Sequence, residues 1–269
     1  VNQRTLLCVH AHPDDESIST GGILARYSAE GYRTVLVTCT NGECGDGANG
    51  EKPGEEGHNP QEVTATRYEE LERSAAILGI THLVKLGFRD SGMMGWASND
   101  FADSFWRTDV ELGARRLAEV MDLYQPQVVV TYDENGFYGH PDHIQANRIT
   151  HRAIELTQIP QKLYYTAVPR SIMEQMAVVM AQAGIETTIE DLPSQGTPNT
   201  EISAWVDVSA YCSAKYQSLL AHASQAENMF FLKMGEQVFS EYFPIETFLR
   251  IVDKTGSQTP EDDLFAGVV

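Results

Sequence analysis

Two histidine–carboxylate turns hold the residues most capable of chemistry in this sequence. Ala11-His12-Pro13-Asp14-Asp15-Glu16 follows an apolar run near the N-terminal end, and Tyr138-Gly139-His140-Pro141-Asp142-His143 repeats the His-Pro-Asp core far downstream. Zinc accepts imidazole nitrogen and carboxylate oxygen at about 2.0–2.2 Å, and a catalytic zinc keeps one position open for water. His12 and Asp15, on a turn stiffened by Pro13, can reach one ion, and His143 supplies a third ligand. Adding His140 would close the shell, so His140 is expected outside it, facing substrate. Asp14 then stands beside a ligand carboxylate, placed to take a proton from water whose pKa the metal lowers towards about 7. A lone His-Pro-Asp reads as a surface turn, with Asp142 capping the following helix. Two of them, each directly after a strand, point to a metal-dependent hydrolase using Zn2+ or another divalent metal.

The surrounding pattern predicts how the turns meet. Thr5–His10 and Thr34–Thr40 are apolar or β-branched runs separated by a helical stretch, Ser19–Glu30, with Gly31 at its end. Strand, helix, strand in so short a span is a βαβ unit, which makes the strands parallel. Further strands are expected at His82–Leu86, Gln127–Tyr132, Lys162–Val168, Ile202–Val208 and Thr247–Val252. Helices are expected at Glu62–Leu78, Arg107–Tyr124, His143–Leu156, Ser171–Ala183 and Ala210–His222. Asn41–Gln61 and Asp191–Thr200 read as polar loops, and Asp253–Val269 as a surface-lying tail. The fold class is therefore α/β: a Rossmann-like, doubly wound, mostly parallel sheet. One domain is expected, with residues 1–168 as the core sheet and 169–269 as a modified C-terminal section. In such sheets ligands bind beyond the carboxyl ends of the strands. Both histidine turns, Asn41–Asp46 and Arg89–Met93 all fall there.

Composition narrows the partners. Of 269 residues, 19 are basic and 38 acidic, a formal net charge of −19 that repels phosphate backbones and anionic lipid. Neither nucleic acid nor a membrane is expected as a partner; a small molecule is. A chain of this length can bury roughly 75% of its unfolded surface, so a metal here would serve function rather than stability. Cys8, Cys39, Cys44 and Cys212 match no zinc spacing and read as reduced thiols. With no signal-peptide pattern at the start and no long apolar run, the expected location is the cytoplasm. Oligomeric state is left open.

With both turns in view, the sequence resembles the zinc-dependent N-deacetylases of the PIG-L/LmbE-like family, which remove acyl groups from N-acetylglucosamine-type amino sugars. The resemblance spans roughly the first 160 residues, through Ala11–Glu16, Thr38–Glu43, Arg67, Arg89–Met93 and His140–His143. It implies zinc on His12, Asp15 and His143, with Asp14 as general base. It further implies His140 as an oxyanion-stabilising proton donor oriented by Asp142, and Tyr138 as a mobile aid at the tetrahedral intermediate. Arg67, Asp90 and Glu43 would hold substrate hydroxyls. Two branches fit. Tyr132–Gly136 resembles the mycothiol S-conjugate amidases, whereas Tyr138–His140 and Arg89–Met93 lean to the mycothiol-type deacetylases.

Two readings compete with an amidohydrolase acting on a glucosamine-containing substrate. A non-catalytic sugar-binding module would need neither Asp14 nor His140. A nucleotide enzyme would use Gly21-Gly22 at the helix start, but the turn lacks G-x-G-x-x-G spacing and carries two aspartates where phosphate would lie.

Overall fold

The computed structural model describes residues 3–182, 194–225 and 229–269. Strand β1 (Thr5–His10) leads into two short helices, α1 (Asp15–Ser19) and α2 (Gly21–Ala29), and then β2 (Arg33–Thr40). Next come α3 (Pro60–Ile77), β3 (His82–Phe88), α4 (Val110–Tyr124) and β4 (Val128–Thr131). A four-residue turn, α5 (Gly136–Gly139), precedes α6 (Pro141–Thr157), β5 (Lys162–Ala167) and α7 (Arg170–Gln182). The chain continues through β6 (Ala204–Asp207), α8 (Cys212–Ala221), α9 (Met229–Tyr242) and β7 (Ile245–Asp253).

The seven strands form one sheet in the order β3-β2-β1-β4-β5-β7-β6. Strands β3, β2, β1, β4 and β5 are mutually parallel, while β7 runs antiparallel between β5 and β6. This is the expected doubly wound α/β sheet. The modification lies in the C-terminal section, where β7, reached after α7, β6, α8 and α9, enters the sheet antiparallel to both β5 and β6. Among the described residues no helix is long and apolar enough to cross a membrane. The predicted helix end at Ala183 and the start of the Asp191–Thr200 loop lie outside the described residues.

Strand periodicity explains the two cores. Leu7 and Val9 of β1 face one side with Val35, Val37 and Val129, against α4 and α6. Leu6 and Cys8 face the other with Leu36, Val128 and Val130, against Ile23, Leu24 and Leu71. Each strand is therefore apolar at consecutive positions because both of its faces are covered. Cys8 and Cys39 are buried free thiols within these layers.

The predicted helix 19–30 is instead two helices broken at Thr20, whose φ of −140° is not helical. The break exposes the start of α2, and a carboxylate fills it: Glu246 accepts from Gly22 N–H and Ile23 N–H, both at 2.8 Å. A Cβ at Gly22 would come within 2.6 Å of Val208, so only glycine fits beneath this contact. The anion position that a nucleotide phosphate would need is thus taken by a side chain of the protein itself.

The tail corrects the expectation of a surface-lying segment. Leu264, Phe265 and Val268 are buried in the second core, because Glu261 draws the chain inward. Its carboxylate contacts Lys162 Nζ at 2.5 Å and Arg250 Nη1 at 2.9 Å, and accepts from Tyr164 Oη at 2.6 Å. Lys162 is fully buried, so removing its partner strands an ammonium in the core. Glu261→Ala is expected to destabilise the fold by about 3–5 kcal/mol, measured by urea denaturation. A change below about 1 kcal/mol would mean the tail is held by its apolar residues alone.

Candidate metal centre and its surroundings

The order 3-2-1-4-5 reverses between β1 and β4, and both histidine turns leave the sheet at that switch point. His12 and Asp15 follow β1, and His140 and His143 follow β4 at the start of α6. His12 and His140 have ring centroids 4.5 Å apart, His12 and His143 5.4 Å, and His140 and His143 4.8 Å. His12, His140 and His143 each offer a ligand atom to one small volume, as do His12, Asp90 and Asp142.

Asp15 joins two of the histidines. Its Oδ2 lies 3.3 Å from His12 Nδ1, and its Oδ1 lies 3.5 Å from His143 Nε2. Two ligand atoms each about 2.1 Å from one tetrahedral ion are about 3.4 Å apart, so these contacts have the length of ligand edges. Neither ring nitrogen of buried His143 has a hydrogen-bond partner. A buried imidazole with nothing to bond is costly in a folded protein, and a metal ligand is one group that escapes this cost. The far nitrogen of His12 is supported: its Nε2 lies 3.1 Å from Asp142 Oδ2 and 3.6 Å from Asp90 Oδ1. A carboxylate behind a ligating histidine fixes its orientation and raises its basicity. Burial alone would depress the basicity of His12, yet Asp90, Asp142 and Asp15 hold it well above its ordinary value. The same carboxylates favour a divalent cation beside the ring.

Asp15 is itself held from behind. It accepts from His12 N–H at 2.8 Å and from the Tyr132 hydroxyl at 2.7 Å. Burial and the Asp15 charge push the Tyr132 phenol up, so it remains a donor. With its proton committed, that hydroxyl accepts from Ala11 N–H at 2.9 Å and from His10 Nδ1 at 3.1 Å. His10 therefore carries its proton on Nδ1. Burial pushes its pKa down to about 4, so it stays neutral. Tyr132 also stacks on His143, with centroids 4.1 Å apart and planes 12° off parallel. Tyr132→Phe is expected to weaken metal affinity about 10–100-fold with the fold intact, read by competition with a chelator. Unchanged affinity would show that Asp15 needs no help from behind.

Asp14 sits at φ 109°, ψ −31°, a backbone region that non-glycine residues rarely adopt. Its N–H donates to Glu16 Oε2 at 3.0 Å, and its Oδ2 lies 3.3 Å from Arg67 Nη2. Strain of this kind costs about 1–3 kcal/mol and persists where the surroundings over-determine it. His140 caps α6, its Nδ1 accepting from Asp142 N–H at 3.2 Å. A neutral His140 must then carry its proton on Nε2. Burial, with the neighbouring His12 and His143, pushes its pKa down to about 2, so the neutral form prevails.

The remaining residues expected from the sequence also gather here, with partners that the sequence could not reveal. The Asp142 carboxylate turns to His12 and to Ser91 N–H, at 2.9 Å, and touches His140 only through its own backbone. Tyr138 is half-buried, its ring centroid 5.2 Å from that of His143 and 6.0 Å from that of His140. It follows Phe137, which has φ 65° and ψ −61°. Arg67 is buried and donates to the carbonyls of Gly42 and Pro13. Buried Asp90 accepts from Gly92 N–H at 2.8 Å, and half-buried Glu43 accepts from Asp90 N–H at 3.1 Å. Of the aromatic residues in the following loop, Trp96 and Phe101 are exposed, whereas Phe105 is buried in a stack with Phe88. Sequence reasoning assigned no role to Tyr132, Glu16 or the backbone N–H of Ser91. Tyr132 passed as the last residue of a strand, and Glu16 as the tail of a motif.

The PIG-L family model, described as GlcNAc-PI de-N-acetylase, matches residues 7–154. The 1D-myo-inositol 2-acetamido-2-deoxy-alpha-D-glucopyranoside deacetylase of Salinispora arenicola is 41% identical over 284 residues, covering 98% of this chain and 92% of the relative. Among solved structures, the N,N'-diacetylchitobiose deacetylase of Pyrococcus horikoshii aligns with TM-score 0.60 and 18% identity, over 92% of this chain and 84% of that one. The 4-carboxy-2-hydroxymuconate hydratase of Pseudomonas putida aligns at TM-score 0.64 and 18% identity, over 95% and 99%. A deacetylase and a hydratase thus share this fold, and the reaction must be argued from the site.

Proposed function

The chain belongs to the PIG-L family of GlcNAc-PI de-N-acetylases, and from that premise we propose that it hydrolyses the acetamide on the 2-amino group of a glucosamine-containing small molecule. The substrate favoured within that class is the inositol-linked N-acetylglucosamine named for the Salinispora relative. One observation carries the reading: Asp15 links His12 to His143, whose ring nitrogens have no hydrogen-bond partner, with the His140 ring beside both histidines and strained Asp14 next to Asp15 in the chain.

His12, Asp15 and His143 would hold zinc or another divalent cation, with Asp142, Asp90 and Tyr132 fixing those ligands from behind. A cation there would polarise the acetamide carbonyl and acidify a water molecule. Asp14 takes the proton from the attacking water as the carbonyl carbon becomes tetrahedral, and delivers it to the departing amine nitrogen. Arg67, with Nη2 3.3 Å from Asp14 Oδ2, aims the carboxylate. His140 donates its Nε2–H to the developing oxyanion as a neutral hydrogen-bond donor, and Tyr138 closes towards the same oxygen. Glu43, with Asp90 and Arg67, borders the space for sugar hydroxyls. Asp90 and Arg67 would reach substrate by exchanging present partners.

The test is primary-amine release by metal-loaded protein from a panel of N-acetylglucosamine derivatives: free, inositol-linked and capped with an acylcysteine. Release from the inositol-linked compound, absent with Asp14→Asn, is the expected result. Preference for the acylcysteine-capped compound would move the chain to the amidase branch. Metal binding without release from any of them would favour the sugar-binding module.

A further inference from the structure

The N–H of strained Asp14 donates into a buried polar network that reaches the C-terminal section. The Glu16 carboxylate that receives Asp14 N–H through Oε2 is fully buried, and its Oε1 accepts from Ser17 Oγ at 2.8 Å and Ser74 Oγ at 2.5 Å. The third partner of Oε1 is His222 Nε2 at 2.7 Å. His222 is fully buried and comes from the turn after α8, in the C-terminal section. That turn is pinned to α3: Ser224 donates to Glu70 through N–H at 2.8 Å and through Oγ at 2.7 Å. His222 Nδ1 has no hydrogen-bond partner.

We propose that His222 is a positioning residue for the reaction, acting through Glu16 to hold the Asp14 backbone where its carboxylate faces the substrate; this rests on the assignment of Asp14 as the base. The chain of contacts is His222 Nε2 to Glu16 Oε1, then Glu16 Oε2 to Asp14 N–H. Without His222, the Glu16 carboxylate loses its fixed orientation, and Asp14 relaxes to negative φ. A shift of about 1 Å in a proton-transfer group costs on the order of 100-fold in rate. The inference also gives the C-terminal section a part in catalysis that fold membership alone does not assign.

The experiment compares His222→Leu and His222→Gln in the full chain, each with bound metal quantified. Gln can present an amide N–H near the position of Nε2. For His222→Leu, kcat should fall about 30–100-fold with KM and metal content unchanged, and a crystal structure should show Asp14 φ leaving the positive region. His222→Gln should recover kcat to within about threefold of the parent, with Asp14 φ restored. The proposal is overturned if Asp14 keeps its conformation in the Leu variant, or if kcat there stays within about twofold of the parent. It is equally overturned if His222→Gln folds but recovers nothing. Because Asp14 φ is read without substrate, a parent inactive on every amide would refute the proposed function while leaving this geometric result standing on its own.

Discussion

Asp14→Asn is expected to lower kcat about 10³-fold while leaving metal content and KM within about twofold of the parent. Positioned proton-transfer groups contribute roughly 10²–10⁴-fold, and three other carboxylates of this site are committed to other donors. Asp15 is engaged by His12 N–H and Tyr132, Asp142 by His12 and Ser91, and Asp90 by Gly92 and Cys44. Asn is the appropriate replacement because it matches the shape of Asp and tolerates positive φ better than most residues, so the strained turn survives. Its amide cannot take up the proton. Steady-state kinetics on the preferred panel substrate, with metal analysis of the same samples, decide the matter. Residual activity within tenfold of the parent would move the base elsewhere, with Glu43 the next carboxylate to test.

The second large effect separates the three clustered histidines. His143→Ala is expected to abolish stoichiometric metal binding, because it removes a ligand and leaves Asp15 joined to His12 alone. His140→Ala should keep the metal and lose about 10²–10³-fold in kcat, the usual cost of a missing oxyanion donor. The contrast is demanding, because all three rings can offer an atom to one small volume. Metal content by mass spectrometry after exhaustive dialysis is the discriminating readout. If both variants lose metal equally, His140 belongs to the ligand set, and the open position needed for water must be found elsewhere. If neither does, the Asp90–Asp142 side of His12 is the stronger holder.

The sequence by itself determined the class of sheet and the place of the site. Consecutive apolar residues in β1, β2 and β4 signal strands covered on both faces, and a βαβ unit forces parallel pairing. That topology alone brings the residues after β1 and β4 to one crevice, so spacing and chemistry suffice to group His12, Asp14, Asp15, His140 and His143. Tertiary structure decided what stands behind those residues. Tyr132 supports Asp15, Asp142 turns to His12 rather than to the His140 side chain, Glu246 caps α2, Glu261 pulls the tail into the core, and His222 reaches Glu16. Periodicity reports which face of an element is buried, because burial recurs with the helix or strand repeat. It carries no record of which polar side chain, even more than two hundred residues away, will satisfy a buried carboxylate or N–H. Those pairings arise only when packing removes water and each stranded polar group must find a partner in the fold.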